Sequence, residues 1–151
     1  MVALLTDPVF LVHNSDLGEG SGWVEVDEPH ERFLTLRGRC LNASEFFAVS
    51  SLAKARALKI AQSEGMSGDE VMEEVNGRVV TLADKLERTE LSVICARRGV
   101  VSVHGPGLPE LSVPGAIIDR LRPSLVADFG NWVITATVAP PDPTGRAGSE
   151  R

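Results

Sequence analysis

The spacing of apolar positions changes character partway along the chain. From Pro8 to Gly38 they come in short runs or alternate with polar residues; from Asn42 onward they recur three and four apart. The first pattern is that of strands and the second that of amphipathic helices. Pro8-Val-Phe-Leu-Val-His13 is a β-branched apolar run that predicts a buried strand. Asn14 to Gly22, with three glycines and two acids, predicts a flexible connection. Trp23-Val-Glu-Val-Asp27 alternates, Pro29-His30-Glu31 marks a turn, and Phe33-Leu-Thr-Leu-Arg37 alternates again. Phe33, Thr35 and Arg37 then share one face, with Leu34 and Leu36 on the other. These last two strands predict a hairpin, which is marginal in water by itself and must pack on the helices.

Asn42-Ala-Ser-Glu45 has the form of a capping box, an oxygen acceptor followed three residues later by glutamate. The helix it opens should run to about Ser63. Its core face is the stripe Phe46, Val49, Ala53, Ala57 and Ile60, with Lys54 and Lys59 facing away and Gly65 ending it. Ser67-Gly-Asp-Glu70 predicts a short second helix through Val75, broken at Asn76-Gly77. Val79 to Arg97 predicts a third, stopped by Arg97-Arg98-Gly99 with the glycine left-handed. Val100 to Val103 is strand-like, and His104-Gly-Pro-Gly-Leu-Pro109 is irregular. A helix follows from Ser112-Val-Pro114 through Leu121. A final one, interrupted or restarted at Pro123-Ser124, carries Leu125, Phe129, Trp132, Val133 and Ala136 to about Val138, with Trp132 as a core anchor. The expected fold is α+β, a small N-terminal antiparallel β element of two to three strands packed on four to five helices. It forms one globular domain over 1–138 (β part 8–38, helical part 42–138), with 139–151 a disordered Pro/Gly-rich tail.

Composition narrows the function classes. With five Phe, two Trp and no Tyr among 151 residues, the core must come from Val, Leu, Ile and Ala. A net charge of −6 argues against a phosphate-neutralising surface and against a polybasic membrane patch, so neither nucleic acid nor membrane is an expected partner. No apolar run reaches the ~18 residues of a membrane-spanning helix. Met1-Val-Ala-Leu-Leu is too short for a signal core and Asp7-Pro8 interrupts it, which points to the cytoplasm. Cys40 and Cys95, without CxxC spacing, read as buried reduced thiols.

Candidate chemistry is sparse. His13, His30 and His104 lie in three segments, so a zinc site with Cys40 and Cys95 lacks the close ligand pairs such sites use; exposed turn positions suit His30 and His104 better. Gly18-Glu-Gly-Ser-Gly22 lacks both the GxGxxG spacing and a Walker lysine, and its acids would repel phosphate. Asn14, Asp16 and Glu19 do not match a calcium loop. Asp69, Glu70, Glu73 and Glu74 read as a solvated face near a helix start. No GxSxG elbow is present. The expectation is therefore no catalytic, metal or cofactor site, and not an enzyme. The apolar candidates for contact with a protein partner are Trp23, expected to be partly exposed, with Phe33, Leu36, Leu108 and Leu111.

Several segments combine into a familiar layout. Phe33-Leu-Thr-Leu-Arg-Gly38 is followed by Leu41-Asn-Ala-Ser-Glu-Phe46. Leu82 to Arg98 comes next, then Gly105-Pro-Gly-Leu-Pro109 and Val113-Pro-Gly-Ala-Ile-Ile-Asp-Arg-Leu121. Over residues 23–138 this resembles the small tail assembly chaperones of long-tailed bacteriophages. The resemblance implies a non-enzymatic protein of the host cytoplasm that binds the tape-measure protein and recruits tail-tube subunits, with no cofactor and no catalytic residues. Two alternatives are a structural subunit of the tail or head–tail connector, and a small-ligand binder or enzyme using 14–22 as a lid.

Overall fold

A computed structural model describes residues 7–66, 68–106 and 114–138. Leu108, Leu111, the Ser112 cap and the 139–151 tail lie outside the described residues. The fold is α+β. A four-stranded antiparallel sheet has the order β2-β1-β3-β6, built from β1 (Val9–His13), β2 (Trp23–Val26), β3 (Thr35–Gly38) and β6 (Val100–His104). Among the described residues four α-helices accompany it: α1 (Ala43–Ser63), α2 (Leu82–Gly99), α3 (Pro114–Ile118) and α4 (Pro123–Val138). A separate hairpin joins β4 (Val71–Val75) to β5 (Arg78–Thr81).

The expected hairpin of the second and third strands does not form. β2 and β3 each pair with β1, with Phe10 opposite both Val26 and Arg37, so β1 lies between them. The continuous apolar run of β1 is what a central strand carries, being covered on both faces. Leu11 and Val12 are both fully buried. The 27–34 connection also folds against the sheet: His30 N–H donates to Thr35 Oγ1 at 2.9 Å, and the His30 ring stacks on Phe33 at 4.4 Å. His104 ends β6 rather than opening an irregular segment, and neither it nor His30 is fully exposed.

The expected helix through Val75 is a strand. Asn76 and Gly77 both take positive φ, 52° and 79°, which is the two-residue turn that matches strand twist. An Asn-Gly pair flanked by Val75 and Val79-Val80 therefore nucleates a hairpin rather than merely breaking a helix. The strand continues through Thr81, whose side chain accepts from Asp84 N–H while Asp84 accepts from Thr81 N–H, so α2 begins at Leu82 and not at Val79. Glu73 is accordingly on a strand, paired with Lys85 at 2.8 Å, not at the positive end of a helix. At the other end of α2, Gly99 has no left-handed φ, and the chain passes directly into β6. A Cβ on Gly99 would lie 2.5 Å from Val133 Cγ2, so that glycine is there for close packing on α4.

The first helix starts as its sequence requires. Asn42 Oδ1 accepts from Glu45 N–H at 2.8 Å, and Glu45 Oε1 accepts from Asn42 N–H at 3.0 Å. Arg39 grips the same carboxylate through two donors at 2.9 and 2.7 Å. The Arg39 bond, followed by the Asn42 N–H, lowers the Glu45 pKa from 4.5 to about 2. A lowered folded-state pKa stabilises above the unfolded value and ceases to do so as pH falls through the folded one. Glu45→Gln should therefore cost about 1 kcal/mol near neutrality. Urea denaturation should show the gap between variant and parent closing as pH drops from 4.5 toward 2; an unchanging gap would contradict the assignment.

One continuous core joins these elements. Leu11, Trp23 and Leu36 from the sheet meet Ile94, Cys95 and Ala96 of α2, Ile118 of α3 and Val126, Phe129 and Val133 of α4. Neither cysteine is in a disulfide, and burial pushes the Cys95 thiol up to about 11.

Candidate functional site

Two features among the described residues carry chemistry or binding capacity. The first is at His13. This residue ends β1 and is buried, and its imidazole joins two distant parts of the chain. Nδ1 lies 2.7 Å from Ser15 Oγ and accepts from Ser15 N–H at 3.2 Å, while Nε2 lies 2.7 Å from Asp128 Oδ2 on α4. A backbone N–H can only donate, so Nδ1 is the acceptor and the ring proton sits on Nε2, directed at the carboxylate. Asp128 Oδ2 also receives Gly22 N–H at 3.3 Å, and Trp23 Nε1–H donates to Leu125 O at 3.2 Å.

These bonds fix the path of the 14–22 segment. It opens with a 3-10 turn, Asn14–Leu17, and Gly18 follows at φ 75°, a conformation glycine takes without strain. Asn14 N–H donates to Gly22 O and its side chain to Ser21 O, closing the segment on itself. The expectation of a flexible connection thus gives way to a hydrogen-bonded loop latched to α4.

A serine, an imidazole and a carboxylate in line are the parts of an activated nucleophile. Acyl transfer also needs donors aimed at a developing oxyanion and a hollow that shields the reaction. Ser15 instead stands exposed on its turn, and the Nδ1 lone pair is shared with its own backbone N–H. Grooves of about 540 and 510 Å³ lie elsewhere, the first lined by Glu73, Arg78, Val79 and Arg88, the second by Val93, Leu121, Val126 and Asn131. The line is best read as a latch. Asp128→Ala would leave the buried Nε2–H without its acceptor and should cost about 1–3 kcal/mol. Ser15→Ala, at an exposed hydroxyl, should stay within about 0.5 kcal/mol. Chemical denaturation of both variants checks the contrast, and equal effects would contradict it.

The second feature is the outer side of α1 with the β4–β5 hairpin. α1 packs chiefly on α2 and buries a narrow strip of small residues, Val49, Ala53, Ala57 and Ala61. The rest of its circumference keeps Phe47 72% exposed and leaves Leu52 and Leu58 exposed as well. On the hairpin Val71, Met72 and Val79 are also exposed. Scattered exposed apolar residues are ordinary, but several large ones on each of two elements that follow one another in the chain are the composition of contact surfaces.

The sequence-derived contact candidates fall elsewhere. Trp23 is only 8% exposed, with its ring edge-on to His13 and Phe129, so the expectation of a partly exposed tryptophan is corrected. Leu36 is wholly buried, being on the sheet face turned to the helices, and Phe33 is half-buried beneath the His30 ring. Leu108 and Leu111 lie outside the described residues. Phe47 was legible in principle: it stands off the Phe46–Val49–Ala53–Ala57 stripe on a helix of known phase. Its aromatic neighbour Phe46, half-buried against the core, masks the signal.

Among the described residues no group of three His, Cys, Asp or Glu side chains could hold a metal ion, and His13, His30, His104, Cys40 and Cys95 do not converge. No described helix is long and apolar enough to cross a membrane. On the outer sheet face Arg37 stands over the Phe10 ring at 5.3 Å, with its Nε buried and unpartnered. Compared with protein-family models, curated proteins and solved structures, the chain matches none.

Proposed function

We propose that this protein is a non-enzymatic, protein-binding assembly factor of the phage tail chaperone kind, acting on tape-measure and tail-tube proteins in the cytoplasm. The observation that carries the reading is the pair of unpartnered apolar faces, α1 and the β4–β5 hairpin, on a body whose core is otherwise closed. Such faces suit helix-in-groove and strand-addition contacts, in which an incoming segment completes a layer that the protein leaves open. A two-stranded hairpin has two free edges and gains most from a third strand. The latch at His13 supports the same reading, because it spends a potential nucleophile–base pair on holding a loop to α4.

The test is first whether a long helical tape-measure-type reading frame lies beside the gene for this chain, and then co-expression of the two products. A stable complex on size exclusion, with the partner kept from aggregating, is the expected result. No complex and no gain in partner solubility would overturn the proposal. Rings or tubes formed by this chain alone would transfer it to the structural-subunit class. A fluorophosphonate probe should leave Ser15 unmodified; labelling that Ser15→Ala abolishes would move the protein into the enzyme class.

A further inference from the structure

We infer that the solvent face of α1 is a docking strip for an acidic amphipathic helix of the partner, an inference that rests on the assembly reading and names its surface and the partner's chemistry. The charge pattern of the helix points there. Between Phe46 and Ser63, α1 carries Lys54, Arg56 and Lys59 and no acid, in a chain with 15 Lys and Arg against 21 Asp and Glu. The −6 of the whole chain is therefore carried entirely by the rest of it. The one acid of α1, Glu45, is committed to Arg39 and the helix cap.

The strip has a shape as well as a sign. Successive residues of a helix are turned by about 100°, so Phe47 and Leu58, eleven apart, lie nearly in line. Ser51, Ala55, Ala48 and Leu52 fill the arc beside them, and all of these residues are exposed. Lys54 and Arg56 border that arc on its two sides, and Lys59 stands within it. The arc covers about 200° of the helix, with the Phe47–Leu58 row beside Lys54 and Leu52 between Lys59 and Arg56. Apolar positions bordered by charge are the arrangement by which paired helices choose partners, the charges setting sign and the apolar side chains supplying burial. At about 31 Å, a helix of 21 residues offers length for a partner helix of similar size.

The existing neighbours of these cations leave them available. Arg56 reaches Glu90 of α2 only at 3.8 Å, with its side chain exposed. Lys54 exerts a field on Asp84 of α2, which is itself fully exposed and already bonded to Thr81. Lys59 takes part in no ion pair among the described residues. A second copy is disfavoured as the occupant of this strip, because pairing α1 with α1 would set cations against cations. A membrane is disfavoured too: three cations fall short of the roughly four to eight of a lipid-binding cluster, and the acidic remainder of the chain would be repelled.

The experiment titrates the full chain with two labelled synthetic amphipathic helices sharing a Leu seam, one flanked by Glu and the other by Lys, and reads fluorescence anisotropy. The Glu peptide should bind about tenfold or more tighter than the Lys peptide, with the difference shrinking at high salt. Lys54→Glu/Lys59→Glu should reverse the preference. Phe47→Ala/Leu52→Ala should weaken Glu-peptide binding about tenfold while lowering the thermal melt by no more than a few degrees, Phe47 being 72% and Leu52 37% exposed. Equal binding of the two peptides, or indifference to either double variant, would overturn the inference. So would binding to phosphatidylglycerol vesicles, or a dimer in sedimentation equilibrium, that Phe47→Ala/Leu52→Ala removes. The assembly reading fails separately: a tape-measure complex formed as well by Phe47→Ala/Leu52→Ala as by the parent rejects the strip alone, whereas no complex with the parent chain rejects the assembly reading.

Discussion

Gly130→Ala should be the most damaging addition of a single methyl group among the described glycines. Gly130 lies on α4 where that helix crosses α2, and it is buried. A Cβ there would fall inside the van der Waals shells of the Ser92 carbonyl oxygen, carbon and Cα. Ser92 is in the middle of α2, so the obstacle is helix backbone that cannot rotate away as a side chain could. The next residue of α4, Asn131, accepts the Ser92 hydroxyl at 3.0 Å, so moving the helices apart also stretches that bond. Alanine gains about 1 kcal/mol over glycine from helix propensity alone. Overpacking at so close a contact should exceed that gain and leave a net loss of about 3 kcal/mol or more. For a chain of this size the melting temperature should fall by about 6 °C or more. Gly115→Ala supplies the control: α3 has open space at that position, and the change should be neutral or mildly stabilising. A Gly130→Ala protein as stable as its parent would show that the α2–α4 crossing is looser than described.

Phe129→Ala should cost about 3–5 kcal/mol, the range for emptying a large, fully buried aromatic site. Its ring has no exposed surface. It stands edge-on to Trp23 at 5.9 Å and parallel to Trp132 at 6.1 Å, and it reaches close enough to Gly38 of β3 to exclude a Cβ there. One side chain thus holds the sheet against α4. Its loss should also loosen Trp23, which donates to Leu125 O and lies against the His13 ring. Urea denaturation followed by tryptophan fluorescence reads both effects, since Trp23 and Trp132 are the only two tryptophans. Phe47→Ala is the matched comparison, the same substitution on an exposed helix face, and should leave stability nearly unchanged. Equal losses for the two would refute the division of phenylalanines between core and surface.

Local signals in the chain suffice where a single element decides the outcome. The Asn42–Glu45 cap, the length of α1, the restart at Pro123 and the run of β1 all depend on neighbours within a few residues. The hairpin at Asn76-Gly77 was equally local. The Ser-x-x-Glu form at Ser67–Glu70 competes with it by pointing to a helix start, whereas two positive φ angles make the Asn76-Gly77 pair a turn between strands. The contact candidates were less legible. An apolar residue on an alternating strand, such as Leu36 or Trp23, points either to core or to partner depending on which sheet face meets the helices. Sequence alternation does not say which.

Sequence alone determined the α+β class, the Asn42-capped first helix and the small-residue strip that lets α1 lie on α2, because propensity, caps and periodicity act over one or two turns of chain. It also determined the one-signed charge of α1 beyond Phe46, which is a matter of composition. Tertiary structure decided that β1 sits between β2 and β3, that His13 meets Asp128 across 115 positions, that Gly130 must remain bare, and that Trp23 is core while Phe47 is surface. Each of these depends on which surfaces close over one another. That is settled by burial summed over the whole molecule, which no short window of sequence contains.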